Sequence, residues 1–342
     1  MDASLFLSTT AESVHLFWPI AAVIVGLILL VWSADRFVAG AASVAKILGM
    51  SPLLIGMIIV GFGTSAPEMC VSVLAAVNNS PDIALGNAYG SNSANIALIL
   101  GLTAILMPVV YARSVARKEL PVLLFTTLLC FSFLFDGKLT RIEGILMIVI
   151  FIVSMVLLSM KSKSATSADE EDSEQGEEEV AQYKSIWVSI VWLVVGLAVL
   201  VGSSQMLVWG AKDIAFRCGV HELIVGLTVV AIGTSLPELA SSIAAAIKKE
   251  HDIALGNIIG SNLFNTLMVV GLAASVKEFE FDHDVLVRDY PIVVILTVIL
   301  FLPITISCFT KKAPKIGRCF GGFLLVSYIA YTTYIILSSL GK

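Results

Sequence analysis

Apolar stretches of roughly 20 residues recur along the whole chain between short polar turns, the length needed to cross the hydrocarbon core of a bilayer as helix. Ten can be delimited: 17–33, 52–77, 83–107, 120–135, 142–160, 186–210, 222–247, 253–275, 290–309 and 319–338. The pattern predicts an all-α polytopic membrane protein of ten transmembrane helices, the fourth of them short. Composition agrees, since 58% of the 342 residues are hydrophobic and only 14% are charged, against about 25% charged in soluble domains.

Offset by 170 residues, the chain matches itself without a gap, and residues 53–102 and 223–272 agree at 23 of 50 positions. The identities fall on Gly, Thr, Ser, Pro, Glu, Asp and Asn, which shared apolar composition does not align, so the chain carries a duplication. The offset lays the second span on the seventh, five crossings later, and an odd number of crossings turns the second copy upside down. The organisation expected is therefore two inverted five-helix repeats, 1–160 and 186–342, joined by an acidic linker, 161–185. Inverted repeats that meet near the bilayer midplane are a recurring transporter architecture.

The net charge of −5 belongs to one segment. Residues 161–184 hold eight acids and three bases, and the remainder is neutral. No basic patch points to nucleic acid. With the N-terminus outside, 14 of the 21 Lys and Arg residues fall in inner loops, which predicts a cell-membrane protein with both termini outside and the linker cytoplasmic. The opening "MDASLFLSTTAES" has no basic n-region, and a cleaved signal peptide is not expected. The five scattered cysteines make no metal-ligand spacing and are expected to be buried free thiols.

Two octapeptides, "GFGTSAPE" (61–68) and "AIGTSLPE" (231–238), put polar chemistry inside apolar spans. Pro67 and Pro237 lack an N–H and collide with the carbonyls of Gly63 and Gly233, so a broken helix is expected at each. Freed carbonyls in hydrocarbon need a cation or water against them. Glu68 and Glu238 are intramembrane carboxylates with no Lys or Arg in the central stretches facing them, which makes them functional by default. Helical spacing puts Thr64, Glu68 and Ser72 on one face, and Thr234, Glu238 and Ser242 likewise. The following span returns to the same depth with Asn87, Ser91 and Asn95 in one stripe, repeated as Asn257, Ser261 and Asn265. Two carboxylates, amide oxygens and hydroxyls form a hard oxygen set without sulfur or imidazole. Such a set selects Ca2+ or alkali cations.

At these residues, "GTSAPE…GNAYGSNSAN" and "GTSLPE…GNIIGSNLFN", the chain resembles the sodium/calcium exchanger branch of the Ca2+/cation antiporters, as a compact prokaryotic-type member. The resemblance implies an antiporter of inverted 5+5 fold that exchanges Ca2+ for Na+ by alternating access, with no permanent cofactor. It implies Glu68 and Glu238 as central ligands, Thr64, Ser65, Thr234 and Ser235 as further ligands, and Ser91, Asn95, Ser261 and Asn265 beside them. Backbone carbonyls near Gly61 and Ala231 would complete Na+ sites. Some members, notably potassium-dependent exchangers and some prokaryotic exchangers, carry Asp where this chain has Asn265, which speaks against potassium dependence and leaves the site with one acid fewer.

Other readings fit less well. A Ca2+/H+ exchanger uses the same buried pair, and protons are expected to compete in either case. An intramembrane hydrolase using Ser65 or Ser235 lacks a His or Lys partner at depth, so no enzyme is expected. A cation channel would be slowed by two buried acids. Asp82 and Asp252 precede "IALGN" in both copies and read as helix N-caps or entrance charges. The expected partners are the two cations and the lipid bilayer, around a monomer.

Overall fold

The computed structural model describes residues 3–111, 113–165, 183–218, 231–308 and 315–340. Its first helix, α1 (Ala3–Leu48), continues past the predicted end at residue 33 and contains Pro19. No breaker follows until Gly49, whose φ of +63° only a residue without Cβ takes up freely. Next come α2 (Pro52–Val77) and α3 (Pro81–Leu106), α4 (Glu119–Phe133) and α5 (Arg141–Ala165). Beyond the linker lie α6 (Ile186–Arg217) and α7 (Leu236–Ile247), the latter preceded by a helical turn at Ala231–Thr234. The chain ends with α8 (His251–Val276), α9 (Tyr290–Cys308) and α10 (Arg318–Leu340). Among the described residues, seven of these helices are long and apolar enough to cross a membrane, while α4 and α7 are shorter. The predicted seventh span begins in residues 222–230, outside the described residues, as does most of the linker.

Burial is inverted relative to a soluble protein. Residues 253–263 of α8 are all buried, whereas α1, α5 and α6 expose rows of large apolar side chains such as Ile28, Val31, Ile145, Val149, Ile152, Val191 and Val194. A surface of this kind suits hydrocarbon rather than water. The center is made by α2, α3, α7 and α8, with α1 and α6 paired along one flank.

Glycines set the closest approaches. A Cβ on Gly26 would lie 3.1 Å from Leu207 Cβ, and one on Gly40 would lie 2.7 Å from the Leu193 nitrogen. The early part of α1 thus meets the late part of α6, and the two run antiparallel. Positions 170 residues on repeat the arrangement, with Gly196 against Phe37 and Gly210 against Pro19 and Val23. Further out, Gly144 of α5 meets Gly271 of α8, and Gly101 of α3 meets Gly321 of α10.

Two short ladders tie the loops. Strand β1 (Val109–Val110) pairs antiparallel with β4 (Lys315–Ile316), Val109 opposite Ile316. Strand β2 (Lys138–Leu139) pairs with β3 (Phe279–Glu280), Leu139 opposite Phe279. The turns before α3 and α8 match as well, since Asn79 and Lys249 both have positive φ, 58° and 63°.

Three local expectations are corrected. Neither Asp82 nor Asp252 stands at a cap position: Ser80 and Glu250 do, and Asp82 Oδ1 instead accepts the backbone N–H of Asp282 at 2.9 Å. The thiols are free among the described residues, but only Cys130 is buried, while Cys70, Cys218 and Cys319 are exposed. The first octapeptide does not break its helix. Residues 61–77 are continuous α-helix through Pro67, and the irregularity lies one turn earlier, in a wide π-type turn at Gly56–Val60 where the Gly61 N–H reaches the Gly56 carbonyl.

Candidate cation site

The second octapeptide does break. Its turn ends at Thr234, Ser235 takes φ −90° and ψ 5°, and α7 begins at Leu236 with Pro237 in its first turn, where a missing N–H costs nothing. The Gly233 carbonyl accepts the Ser204 hydroxyl of α6 at 2.9 Å. Ala34 occupies the equivalent place on α1 and cannot donate.

Both acids are buried at the center, Glu68 fully and Glu238 to within 2%. Ser65 Oγ donates to Glu238 Oε1 at 3.2 Å, which brings the two octapeptides together. The other Glu238 oxygen, both Glu68 oxygens and Ser235 Oγ are buried without a hydrogen-bond partner among the described residues. No Lys, Arg or His forms an ion pair with either carboxylate there.

Asparagines hold the backbone behind the acids. Asn87 Nδ2 donates to the Glu68 carbonyl at 3.1 Å and to Ser72 Oγ at 2.9 Å. Asn257 Nδ2 does the same for Glu238 at 3.3 Å, with Ser241 and Ser242 at 3.1 and 2.9 Å. Asn257 Oδ1 accepts the Thr64 hydroxyl at 3.2 Å and lies 3.5 Å from that of Ser261. Thr64 also donates to the Val60 carbonyl at 3.1 Å.

Asn95 and Asn265 are buried with both side-chain polar atoms unpartnered among the described residues. Each is the second residue of a wide π-type turn, Ala94–Ile99 and Phe264–Val269. Such turns in a helix widen the backbone and cluster at functional sites. Ser91 and Ser261 are buried one turn earlier. Gly61 packs on the backbone of Gly260 and Ser261, and Ala231 opens the turn that ends at Thr234. Sequence reading missed the wide turns, the Ser204 bond, and a buried bond from Asn92 to Thr266 at 2.8 Å. Asn92 lies inside "GSNSAN", but its partner Thr266 faces Ile96 in the repeat and left no signal.

A cluster of buried carboxylate, hydroxyl and amide oxygens from two matching motifs could hold a dehydrated cation. The sodium/calcium exchanger protein family matches residues 18–160 and 188–337. The chain belongs to that family. It is 45% identical over 320 residues to CaxA of Alkalimonas amylolytica, covering 93% of this chain and 98% of that one. It is 38% identical to the inner membrane protein YrbG of Escherichia coli, covering 91% and 94%, and 28% identical to the sodium/calcium exchanger MaX1 of Methanosarcina acetivorans, covering 90% and 95%. Its fold matches the sodium-calcium exchanger NCX_Mj soaked with 10 mM Na+ and zero Ca2+, at a TM-score of 0.78 and 30% identity over 92% of this chain and 98% of that one. The protein is thus a compact multi-pass membrane antiporter of cations, and its family is one of transporters rather than enzymes.

Proposed function

We propose that the protein exchanges Ca2+ for Na+ by alternating access around a site centered on Glu68 and Glu238. The observation that carries this reading is the pair of buried acids with no cationic side chain paired to them among the described residues. A carboxylate out of water is costly unless paired, and two of them neutralise one Ca2+ or hold Na+ ions in its place. Thr64, Ser65, Thr234, Ser235, Asn95 and Asn265 supply further oxygens, with Ser91 and Ser261 beside them and carbonyls near Gly61 and Ala231 completing Na+ positions. With Asn265 rather than a third acid, exchange proceeds without potassium.

Around the site we place ten spans in two inverted five-helix units, 1–160 and 186–342, with both termini outside, the linker 161–185 inside, and a monomer as the working unit. The antiparallel crossing of α1 with its counterpart α6 supports the inversion. So do the ladders, since each joins a loop of one unit to a loop of the other, on sides that agree with ten crossings.

The test is Ca2+ uptake into proteoliposomes loaded with Na+ and diluted into Na+-free buffer, with pH and potassium clamped. Uptake only with the outward Na+ gradient supports the reading. Uptake that ignores Na+ and follows an imposed pH gradient would transfer the same site to a Ca2+/H+ exchanger.

A further inference from the structure

Asp35 of α1 meets Lys248, the residue after α7, with Oδ1 2.7 Å from Nζ. Arg36 Nε lies 4.0 Å from the same carboxylate. The Arg36 guanidinium sits 5.4 Å over the Trp192 ring of α6 and reaches the Tyr183 hydroxyl at 3.5 Å. Helix α1 lies along α7, so the Asp35–Lys248 pair fastens the end of a docked helix pair.

The 170-residue offset assigns each partner a counterpart. Helix α6 corresponds to α1 and the second half of α2 to α7, while Gln205 corresponds to Asp35 and Asn78 to Lys248. These counterparts are not docked in the same way. Helix α6 touches the second half of α2 at few points, and both Gln205 and Asn78 are exposed.

We propose that Asp35–Lys248 is a state-dependent latch on the end of the protein that carries the α7–α8 turn, and that an uncharged Gln205–Asn78 contact takes its place at the other end in the opposite-facing state. The inference rests on the alternating-access reading above, in which the repeat exchanges the docked and undocked helix pairs. An ion pair fastens one state and two amides fasten the other, so the two closures are unequal. Side-chain exposures of 46% for Asp35 and 24% for Lys248 keep the pair modest and salt-sensitive.

Half-saturating Ca2+ measured separately at the two membrane faces of oriented proteoliposomes reads the balance, because apparent affinity at a face scales with the fraction of protein open to it. Lys248→Gln is expected to weaken apparent affinity roughly two- to fivefold at the face of the α2–α3 turn and to strengthen it at the other. Installing a second latch with Gln205→Asp and Asn78→Lys is expected to shift both faces in the same directions. The reversed pair Asp35→Lys/Lys248→Asp should restore the original balance. No shift, parallel shifts at both faces, or failure of the reversed pair to restore the balance would each overturn the latch. A readout independent of transport is chemical cross-linking of Asn78→Cys/Gln205→Cys, expected to rise when Lys248→Gln is added; an unchanged yield overturns the latch. If the unaltered protein shows no Na+-driven uptake, the exchange reading fails, and the cross-linking result still decides the latch.

Discussion

The Ser65 hydroxyl donates to Oε1 of Glu238 at 3.2 Å, so a side chain of one motif holds the acid of the other. The reciprocal pair is not made: Ser235 Oγ and both Glu68 oxygens lack partners among the described residues. Two octapeptides that share five of eight residues therefore present two unlike acids, one steadied and one open. Ser65→Ala is expected to raise half-saturating Ca2+ about tenfold, the worth of one hydrogen bond to a charged group, and Ser235→Ala to raise it less. Equal effects in a Ca2+ titration of exchange would mean that the asymmetry is not kept through the cycle.

Replacing either acid by its amide removes charge at nearly constant volume. Glu68→Gln and Glu238→Gln are each expected to abolish Na+-driven Ca2+ uptake while the protein stays monodisperse in detergent. Near-normal uptake in either variant would remove that carboxylate from the site. Because the site loses a buried negative charge that has no cationic partner among the described residues, neither substitution is expected to lower thermal stability.

Ser204 and the Gly233 carbonyl offer a sharper probe of the broken helix. The 2.9 Å bond replaces the one that Pro237 cannot make. Ser204→Ala leaves the buried carbonyl short of a donor, at a cost of about 1–3 kcal/mol. The expected outcome is a lower unfolding temperature together with slower exchange. Ala34→Ser, at the equivalent place, should leave both unchanged; matched effects of the two substitutions would count against a special role for Ser204.

Much of this was legible in the chain because the signals are local and doubled. A carboxylate after a proline in an apolar run stands out once, and its recurrence 170 residues later excludes chance. Asn95 and Asn265 stand out in the sequence by the same doubling. What was not legible depends on neighbours rather than spacing. Both motifs contain the same Gly-Thr-Ser-x-Pro-Glu, yet only the second breaks its helix, at Ser235, while the first is adjusted one turn upstream at Gly56–Val60. One difference beside them is Ser204 against Ala34, on helices far away in sequence. The full length of α1 was missed because Asp35 and Arg36 look like a membrane boundary. In the fold they pair with Lys248 and Tyr183 and let the helix run on.

The contact between α2 and α8 behind the site gives a stability prediction. A Cβ on Gly260 would lie 2.4 Å from the Met57 carbonyl oxygen, and one on Gly256 equally close to that of Leu53. Both obstacles are backbone, so the helices would have to separate. Gly260→Ala is expected to cost about 1–3 kcal/mol, read as a fall in unfolding temperature in detergent. Gly322→Ala on α10, where a Cβ meets nothing within 4 Å among the described residues, should be neutral or slightly stabilising, since Ala favours helix over Gly. A neutral Gly260→Ala would show that the two helices can part without loss.

Acid should inhibit exchange, and linkage fixes how. A carboxylate oxygen of Glu68 or Glu238 that holds a proton is lost to a cation, so proton and cation binding oppose each other at the same atoms. Lowering the pH is then expected to raise half-saturating Ca2+ while the rate at saturating Ca2+ is kept, because enough Ca2+ displaces the protons. Asn265 cannot take part, having no ionisable proton at its buried side chain. Asn265→Asp would place a third acid in the cluster, and its exchange should fall more steeply with acidification than that of the unaltered protein. The measurement is a Ca2+ titration of Na+-driven uptake at intervals from about pH 8 to about pH 5.5. A half-saturating Ca2+ that stays constant over that range, in both proteins, would mean that the cation does not bind through the two glutamates.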